Sequence, residues 1–98
     1  MIIYEVNLKF STKIYSKFNN WLDKHIIEML TFSGFIKCKR FKVIHEGDDY
    51  LICLHYYIKD IDSLNDYFEN KSNYMRQKAI SLFNENFTAE RRILSIDS

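Results

Sequence analysis

Proline is absent from this 98-residue sequence, and glycine and cysteine each occur only twice. The shortage of glycine and proline excludes a collagen-like or low-complexity chain, and it leaves few positions where the backbone can turn sharply. Cys38 and Cys53 are too few for a disulfide framework and too far apart for a CxxC metal or redox motif. We therefore expect two buried free thiols.

An excess of charge of one sign is also missing. Lys and Arg number 14 against 13 Asp and Glu, which gives a formal net charge of +1. Such a balance creates no field that would attract nucleic acid or an acidic membrane surface. No apolar run approaches the length of a membrane span, and Glu5 interrupts the first apolar stretch before a signal-peptide core could form. We expect a cytoplasmic protein.

Apolar side chains are plentiful: 47% of the residues are hydrophobic and 16% are aromatic. This composition predicts one folded domain over residues 1–98. Apolar residues occupy the even positions of Ile2–Phe10, which is the period of a half-buried strand. Ser11 or Thr12 can cap the helix predicted next, whose apolar residues recur at three- and four-residue steps from Ile14 to Leu30.

The middle of the chain predicts a β-hairpin. Gly34 suits the end of the first helix, and a turn over residues 46–49 separates two apolar runs, Phe35–His45 and Tyr50–Ile58. The apolar residues of the first run change parity, so we expect a bulge near Lys39 and Arg40.

Asp60 or Asp62 can cap a second helix that extends to Phe83, with a break expected over residues 69–73. Phe87–Ile96 reads as the fourth strand. The order is βαββαβ, which predicts an α+β, ferredoxin-like fold: a four-stranded antiparallel sheet with two helices on one face.

The opposite face of this sheet has no helix to cover it. Several large side chains of the third strand point there, and a homodimer is the commonest way to cover such a face. We therefore predict a homodimer that forms through the helix-free sheet face.

Several segments carry a family resemblance. They are the opening MIIYEVN, the stretch WLDKHIIEML, the step Ser33–Phe35, the strand end HYYI, and the tail from Tyr74-Met75-Arg76 through RRIL. Over nearly the whole chain, the sequence resembles the uncharacterised bacterial domain-of-unknown-function 4286 family. More distantly it resembles the dimeric α/β-barrel superfamily, which includes antibiotic-biosynthesis and haem-degrading monooxygenases. The resemblance implies a dimeric α/β barrel rather than a particular reaction.

In monooxygenases of that superfamily an asparagine often lies in the pocket, and the resemblance implies this position for Asn7. An interface hydrogen bond is the alternative for Asn7. His55 shares a strand face with Cys53 and Tyr57, so it is the best acid–base candidate. A histidine satisfied within the dimer interface is the alternative for His55.

Arg91 and Arg92 are adjacent on a strand, so one must point to each side of the sheet. We expect one of them to pair with Glu5, either to hold a ligand or to support the dimer. The candidate ligand-binding residues are therefore Glu5, Asn7, His55, Tyr57, Arg91 and Arg92.

Two functions are compatible with these residues. The first is a small-molecule-binding or interaction module, and the second is a cofactor-independent monooxygenase or isomerase acting on a small metabolite. The sequence contains no nucleophile with a base, no phosphate loop and no convergent ligand set, so we expect neither a metal nor a cofactor. The binding module is favoured, and the sequence does not decide whether the protein is an enzyme.

Overall fold

The computed structural model describes residues 1–97. The strands are β1 (Ile2–Phe10), β2 (Phe35–Lys42), β3 (Tyr50–Ile58) and β4 (Phe87–Ser95). The helices are α1 (Tyr15–Met29), α2 (Ile61–Asn70) and α3 (Ser72–Phe83), and short 3₁₀ turns cover Thr12–Ile14 and Asn84–Asn86. The predicted α+β, ferredoxin-like order is confirmed, with the second helix divided in two.

The four strands form one antiparallel sheet in the order β2-β3-β1-β4. β1 is central and pairs along its whole length with β3 on one side and β4 on the other. Its register sets Glu5 directly opposite His55 on β3 and directly opposite Arg92 on β4. Because side chains alternate along a strand, these three residues point to the same face of the sheet.

The helices cover the other face, where an aromatic core forms. The even side chains of β1 from Tyr4 to Phe10 are buried there and Ile2 is partly buried, as the alternating pattern predicts. Phe10 stacks on Phe18 of α1 at 4.3 Å between ring centroids, and Tyr4 packs edge-on against Phe68 of α2 at 5.4 Å. Most of the burial in the chain therefore comes from this sheet–helix layer.

Two helix starts depend on the residues that the sequence indicated. Asp60 Oδ1 accepts from the backbone N–H of Ser63 at 2.9 Å and caps α2, while Ser11 Oγ accepts from the N–H of Lys13 in the turn before α1. The predicted break is also present: α2 ends at Asn70, and Ser72 donates its hydroxyl to the carbonyl of Phe68.

The predicted position of the bulge, near Lys39 and Arg40, was wrong. The register shifts between Phe35 and Lys37, so Ile36 is the extra residue. Arg40 then points to the helix side, where it pairs with Asp23 of α1 at 2.7 Å. Its neighbour Phe41 is consequently on the helix-free face. The strand ends at Lys42 rather than His45, since residues 43–49 form an irregular loop in which the His45 ring contacts two backbone carbonyls.

The thiols are half-buried rather than buried, which corrects the expectation for both cysteines. Cys38 lies opposite Tyr56 and Cys53 opposite Phe41, so the two point to opposite faces of the sheet. Cys38 and Cys53 are therefore not directly opposite each other, as the position of the predicted hairpin turn implied.

We use the term helix-free face for the sheet surface opposite the helices. By strand alternation its side chains come from all four strands. They are Ile3, Glu5, Asn7 and Lys9 of β1; Lys37, Lys39 and Phe41 of β2; Leu51, Cys53, His55 and Tyr57 of β3; and Thr88, Glu90, Arg92 and Leu94 of β4.

Gly34 should be intolerant of any side chain. Its φ is +84°, and a Cβ would lie 2.2 Å from Ser63 Oγ, so Gly34→Ala combines backbone strain with a clash. Gly47→Ala is the matched control, because φ is +119° but the nearest atom is an exposed His45 ring carbon at 3.7 Å. We expect Gly34→Ala to cost about 1–3 kcal/mol more than Gly47→Ala in urea unfolding. If both variants lost the same free energy of unfolding, the clash of the new Cβ with Ser63 would be relieved at no cost.

Candidate functional site

A charged row crosses the centre of the helix-free face. It consists of His55 on β3, Glu5 on β1 and Arg92 on β4, which the antiparallel register sets side by side. Asn7, two residues along β1, completes the group. We call these four residues the Glu5 cluster.

Glu5 is the centre of the cluster, and it is only 4% exposed. Its Oε1 accepts from Arg92 Nε at 2.5 Å and from Asn7 Nδ2 at 2.9 Å. Its Oε2 lies 2.7 Å from His55 Nε2. Three side chains therefore satisfy both carboxylate oxygens, which is what a buried carboxylate requires.

These contacts keep the carboxylate ionised. The hydrogen bond from Arg92 is the largest cause that lowers the pKa of Glu5 from 4.5 to about 2; burial opposes it, and Asn7 and His55 add to the lowering. An ionised carboxylate can only accept hydrogen bonds, so His55 Nε2 must carry the proton between them. Glu5 is thus an orienting group for His55 rather than a general base.

Cys53 lies beside the cluster, but it is not an activated nucleophile. Burial raises the pKa of its thiol, and the neighbouring charge of Glu5 raises it further. A thiol held in its protonated form beside a carboxylate does not supply nucleophilic catalysis. On the other side of the cluster, the Phe41 ring packs edge to face against the His55 ring, with centroids 5.2 Å apart.

A shallow open depression of about 430 Å³ adjoins the cluster. Residues that line it include Glu5, Asn7, Cys53, Glu90 and Arg92. Arg92 uses only its Nε in the contact with Glu5, and its side chain is 68% exposed. Its two Nη groups have no acceptor within residues 1–97, so they are open to a partner or ligand.

The structure unites four of the six predicted site residues and separates two. Tyr57 is on the same face, but it lies two residues along β3 from His55, opposite Ile3 and outside the cluster. Lys37 Nζ is 4.7 Å from the centroid of the Tyr57 ring. Arg91 points to the helix side by strand alternation and lines a narrow cavity there with Trp21 and His25, although it also borders the depression beside the cluster. The predicted pairing of one arginine with Glu5 is made by Arg92.

Glu5, Cys53 and His55 also form a set of potential metal donors, whose ligand atoms lie within 4.8 Å of one another. Their spacing in the sequence does not mark them as a ligand set. A cation here would have to share the Glu5 carboxylate with the Arg92 guanidinium, which already holds it at 2.5 Å. The observed contacts therefore favour the internal ion pair over a bound cation.

Sequence reasoning missed a second group of polar residues, on the helix side. His25 of α1, Tyr56 of β3 and Arg76 of α3 line one cavity between the sheet and the helices. Their positions fall within apolar stripes, so periodicity identified them as core or left them unassigned. Only the tertiary packing of α1 and α3 on β3 brings them together.

The fold defines a structural class. The chain has a ferredoxin-like fold that it shares with solved structures of antibiotic-biosynthesis monooxygenase type. It belongs to the family described as Domain of unknown function (DUF4286), whose model matches residues 1–96. The family resemblance seen in the sequence is thereby confirmed. A search of curated proteins finds no match.

Three solved structures illustrate the fold. A candidate antibiotic-biosynthesis monooxygenase from Deinococcus radiodurans aligns with TM-score 0.75 and 11% identity over 100% of this chain and 94% of its own. SnoaB, a cofactor-independent oxygenase from Streptomyces nogalater, gives 0.69 and 11% over 99% and 94%. An ethyl tert-butyl ether degradation (EthD) family protein from Bacillus halodurans gives 0.69 and 17% over 99% and 100%. At these identities the likeness shows the fold alone.

No helix within residues 1–97 combines the length and the apolar character needed to cross a bilayer.

Replacing Glu5 should remove a measurable part of the pH dependence of stability. The folded pKa of about 2 lies below the ordinary 4.5. The contribution is therefore complete above about pH 4.5 and is lost as the pH falls toward 2. We expect Glu5→Gln to lower the free energy of unfolding at pH 7 by on the order of 2 kcal/mol, with the difference from wild type disappearing near pH 2.

The measurement is urea unfolding across that pH range, with Glu46→Gln in the exposed loop as the matched control. In the control, the free energy of unfolding should depend on pH as it does in wild type. If the free energy of unfolding of Glu5→Gln also followed pH in parallel with wild type, the ionisation of Glu5 would contribute nothing to stability.

Proposed function

We propose that this protein is a homodimeric small-molecule-binding protein whose helix-free faces pack together over the Glu5 cluster. The observation that carries this proposal is the 4% exposure of the Glu5 carboxylate, together with its saturation by three side chains. A sheet face that contacted only water would not need to protect a carboxylate in this way.

The apolar residues around the cluster support a second copy as the covering partner. Ile3, Leu51, Tyr57 and Leu94 are only half-buried on this face, and Phe41 remains 44% exposed. Contiguous apolar area of this kind favours association, and a two-fold axis lets one patch cover its own copy. The resemblance of the sequence to the dimeric α/β-barrel superfamily favours the same arrangement.

The ligand of this chamber is expected to be a small molecule with an anionic oxygen group. The Nη groups of Arg92 offer two donor positions at the edge of the depression, and a planar guanidinium matches a carboxylate. Lys37 and Lys39 add positive charge along the same face, where both lie over the Tyr57 ring. Glu5 and Glu90 also line the depression, but Glu5 is already paired with Arg92, so the exposed lysines and the Arg92 Nη groups leave positive charge for an anion.

A second candidate function is a cofactor-independent monooxygenase or isomerase. The observation in its favour is the contact of His55 Nε2 with Glu5 Oε2, because a carboxylate that orients an imidazole leaves Nδ1 available as a base. SnoaB, which shares the fold, is a cofactor-independent oxygenase. Binding without chemistry remains the first proposal, since the cluster contains no activated nucleophile to act with His55.

Disrupting the helix-free face should dissociate the dimer. Phe41→Glu sets a charge at a position that is 44% exposed in one chain, so the fold should tolerate the substitution. Ile27→Glu is the matched control, because Ile27 is 68% exposed on α1, away from this face. We expect Phe41→Glu to raise the dimer dissociation constant about thirtyfold or more, since a buried charge replaces an apolar contact.

Sedimentation velocity over a range of protein concentrations measures this change. The wild type and Ile27→Glu should both sediment as dimers. A monomeric wild type, or dissociation by Ile27→Glu but not by Phe41→Glu, would contradict an interface on the helix-free face.

Removing the Arg92 guanidinium should weaken ligand binding in the chamber. Benzoate is a suitable probe, because it combines a carboxylate with a small apolar ring. We expect calorimetric titration to show benzoate binding to wild type and a loss of about tenfold or more in Arg92→Met. Arg40→Met is the control, since it removes an arginine ion pair on the opposite face. Equal affinity in wild type and Arg92→Met would exclude Arg92 from the binding site.

A further inference from the structure

A second cavity lies between the sheet and the helices, on the opposite side of the sheet from the Glu5 cluster. It leaves about 40 Å³ for the centres of water-sized groups, which is room for roughly three such groups. Its walls are aromatic and sulfur-containing side chains, among them Trp21, Met29 and Met75. The cavity is independent of any dimer, because one chain supplies every wall.

Three polar atoms of this cavity's lining residues are buried without a partner. They are His25 Nδ1, Tyr56 Oη and Arg76 Nε, and no acceptor or donor within residues 1–97 reaches them. Tyr56 is only 1% exposed. Buried polar groups are paired in the great majority of folded proteins, so three orphans around one space indicate that something else occupies it.

The donor chemistry restricts what the occupant can be. Arg76 Nε can only donate, and the Tyr56 hydroxyl can donate as well. Arg91 adds a second guanidinium at the rim, and none of the lining residues is acidic. His25 lies against Trp21 with ring centroids 4.5 Å apart, and burial lowers the pKa of His25 to about 4, so its ring is neutral near pH 7. An occupant that accepts hydrogen bonds and carries negative charge fits these groups best.

We propose that this cavity is a second binding site, specific for a small carboxylate with a short apolar body. The carboxylate accepts from Arg76 Nε and Tyr56 Oη, and Arg91 neutralises its charge at the rim. The apolar body lies against Met29 and Met75, both of which are 1% exposed. The size of the cavity admits a molecule such as acetate and excludes the larger probe proposed for the helix-free face.

The test is a ¹H–¹⁵N NMR titration with sodium acetate near pH 7, compared with sodium chloride at the same ionic strength. Trp21 is the only tryptophan in the sequence, so its indole N–H peak reports the cavity wall without further assignment. We expect acetate to move this peak saturably and chloride not to. Tyr56→Phe and Arg76→Met should each weaken acetate binding about tenfold or more.

Tyr57→Phe is the matched control, because Tyr57 is adjacent on β3 but points to the other face. It should bind acetate as the wild type does. No movement with acetate, or equal movement with chloride, overturns the proposal, since the orphans are then satisfied by water alone. Loss of the response in Tyr57→Phe but not in Tyr56→Phe also overturns it and assigns the carboxylate to the helix-free face.

Discussion

The burial of one carboxylate, that of Glu5, is the constraint on which the helix-free face depends. Glu5 stands on the central strand, so donors from both neighbouring strands can reach it without leaving the sheet. Arg92 and His55 reach it only because the register places both directly opposite. A slip of one residue would turn Arg92 to the helix side and break the ion pair with Glu5, so the register of the strands and the ion pair support each other.

The two faces of the sheet achieve burial by different physical means. The helix side excludes water with aromatic rings in contact, such as Phe10 on Phe18, and its stability follows from apolar area. The helix-free face has no helix, so its central polar group is protected by hydrogen bonds from its neighbours. Apolar side chains that remain half-exposed around that network are the reason to expect a second copy there.

The fold neighbours limit what can be concluded about chemistry. Structures with this backbone include oxygenases, but at 10–17% identity they show that the fold is shared and not that the reaction is. The chemistry depends on the residues. On the helix-free face both Glu5 oxygens are satisfied and the open donors are those of the exposed Arg92 side chain, whereas in the cavity behind the sheet the unpaired polar atoms are buried. Buried polar atoms without a partner are the more direct sign of a ligand.

The sequence by itself determined the element order, the limits of β1 and β3, the break between α2 and α3, and the contact of an arginine with Glu5. These features depend on local periodicity, on capping residues and on the alternation of side chains along a strand. It did not determine the position of the bulge, which lies at Ile36 and turns Arg40 to the helix side, where Arg40 pairs with Asp23 on α1. Tertiary structure alone decided that Arg92 rather than Arg91 meets Glu5, since that choice needs the register. It also assembled His25, Tyr56 and Arg76 around one space, because their elements are distant in sequence and meet only when the helices pack on the sheet.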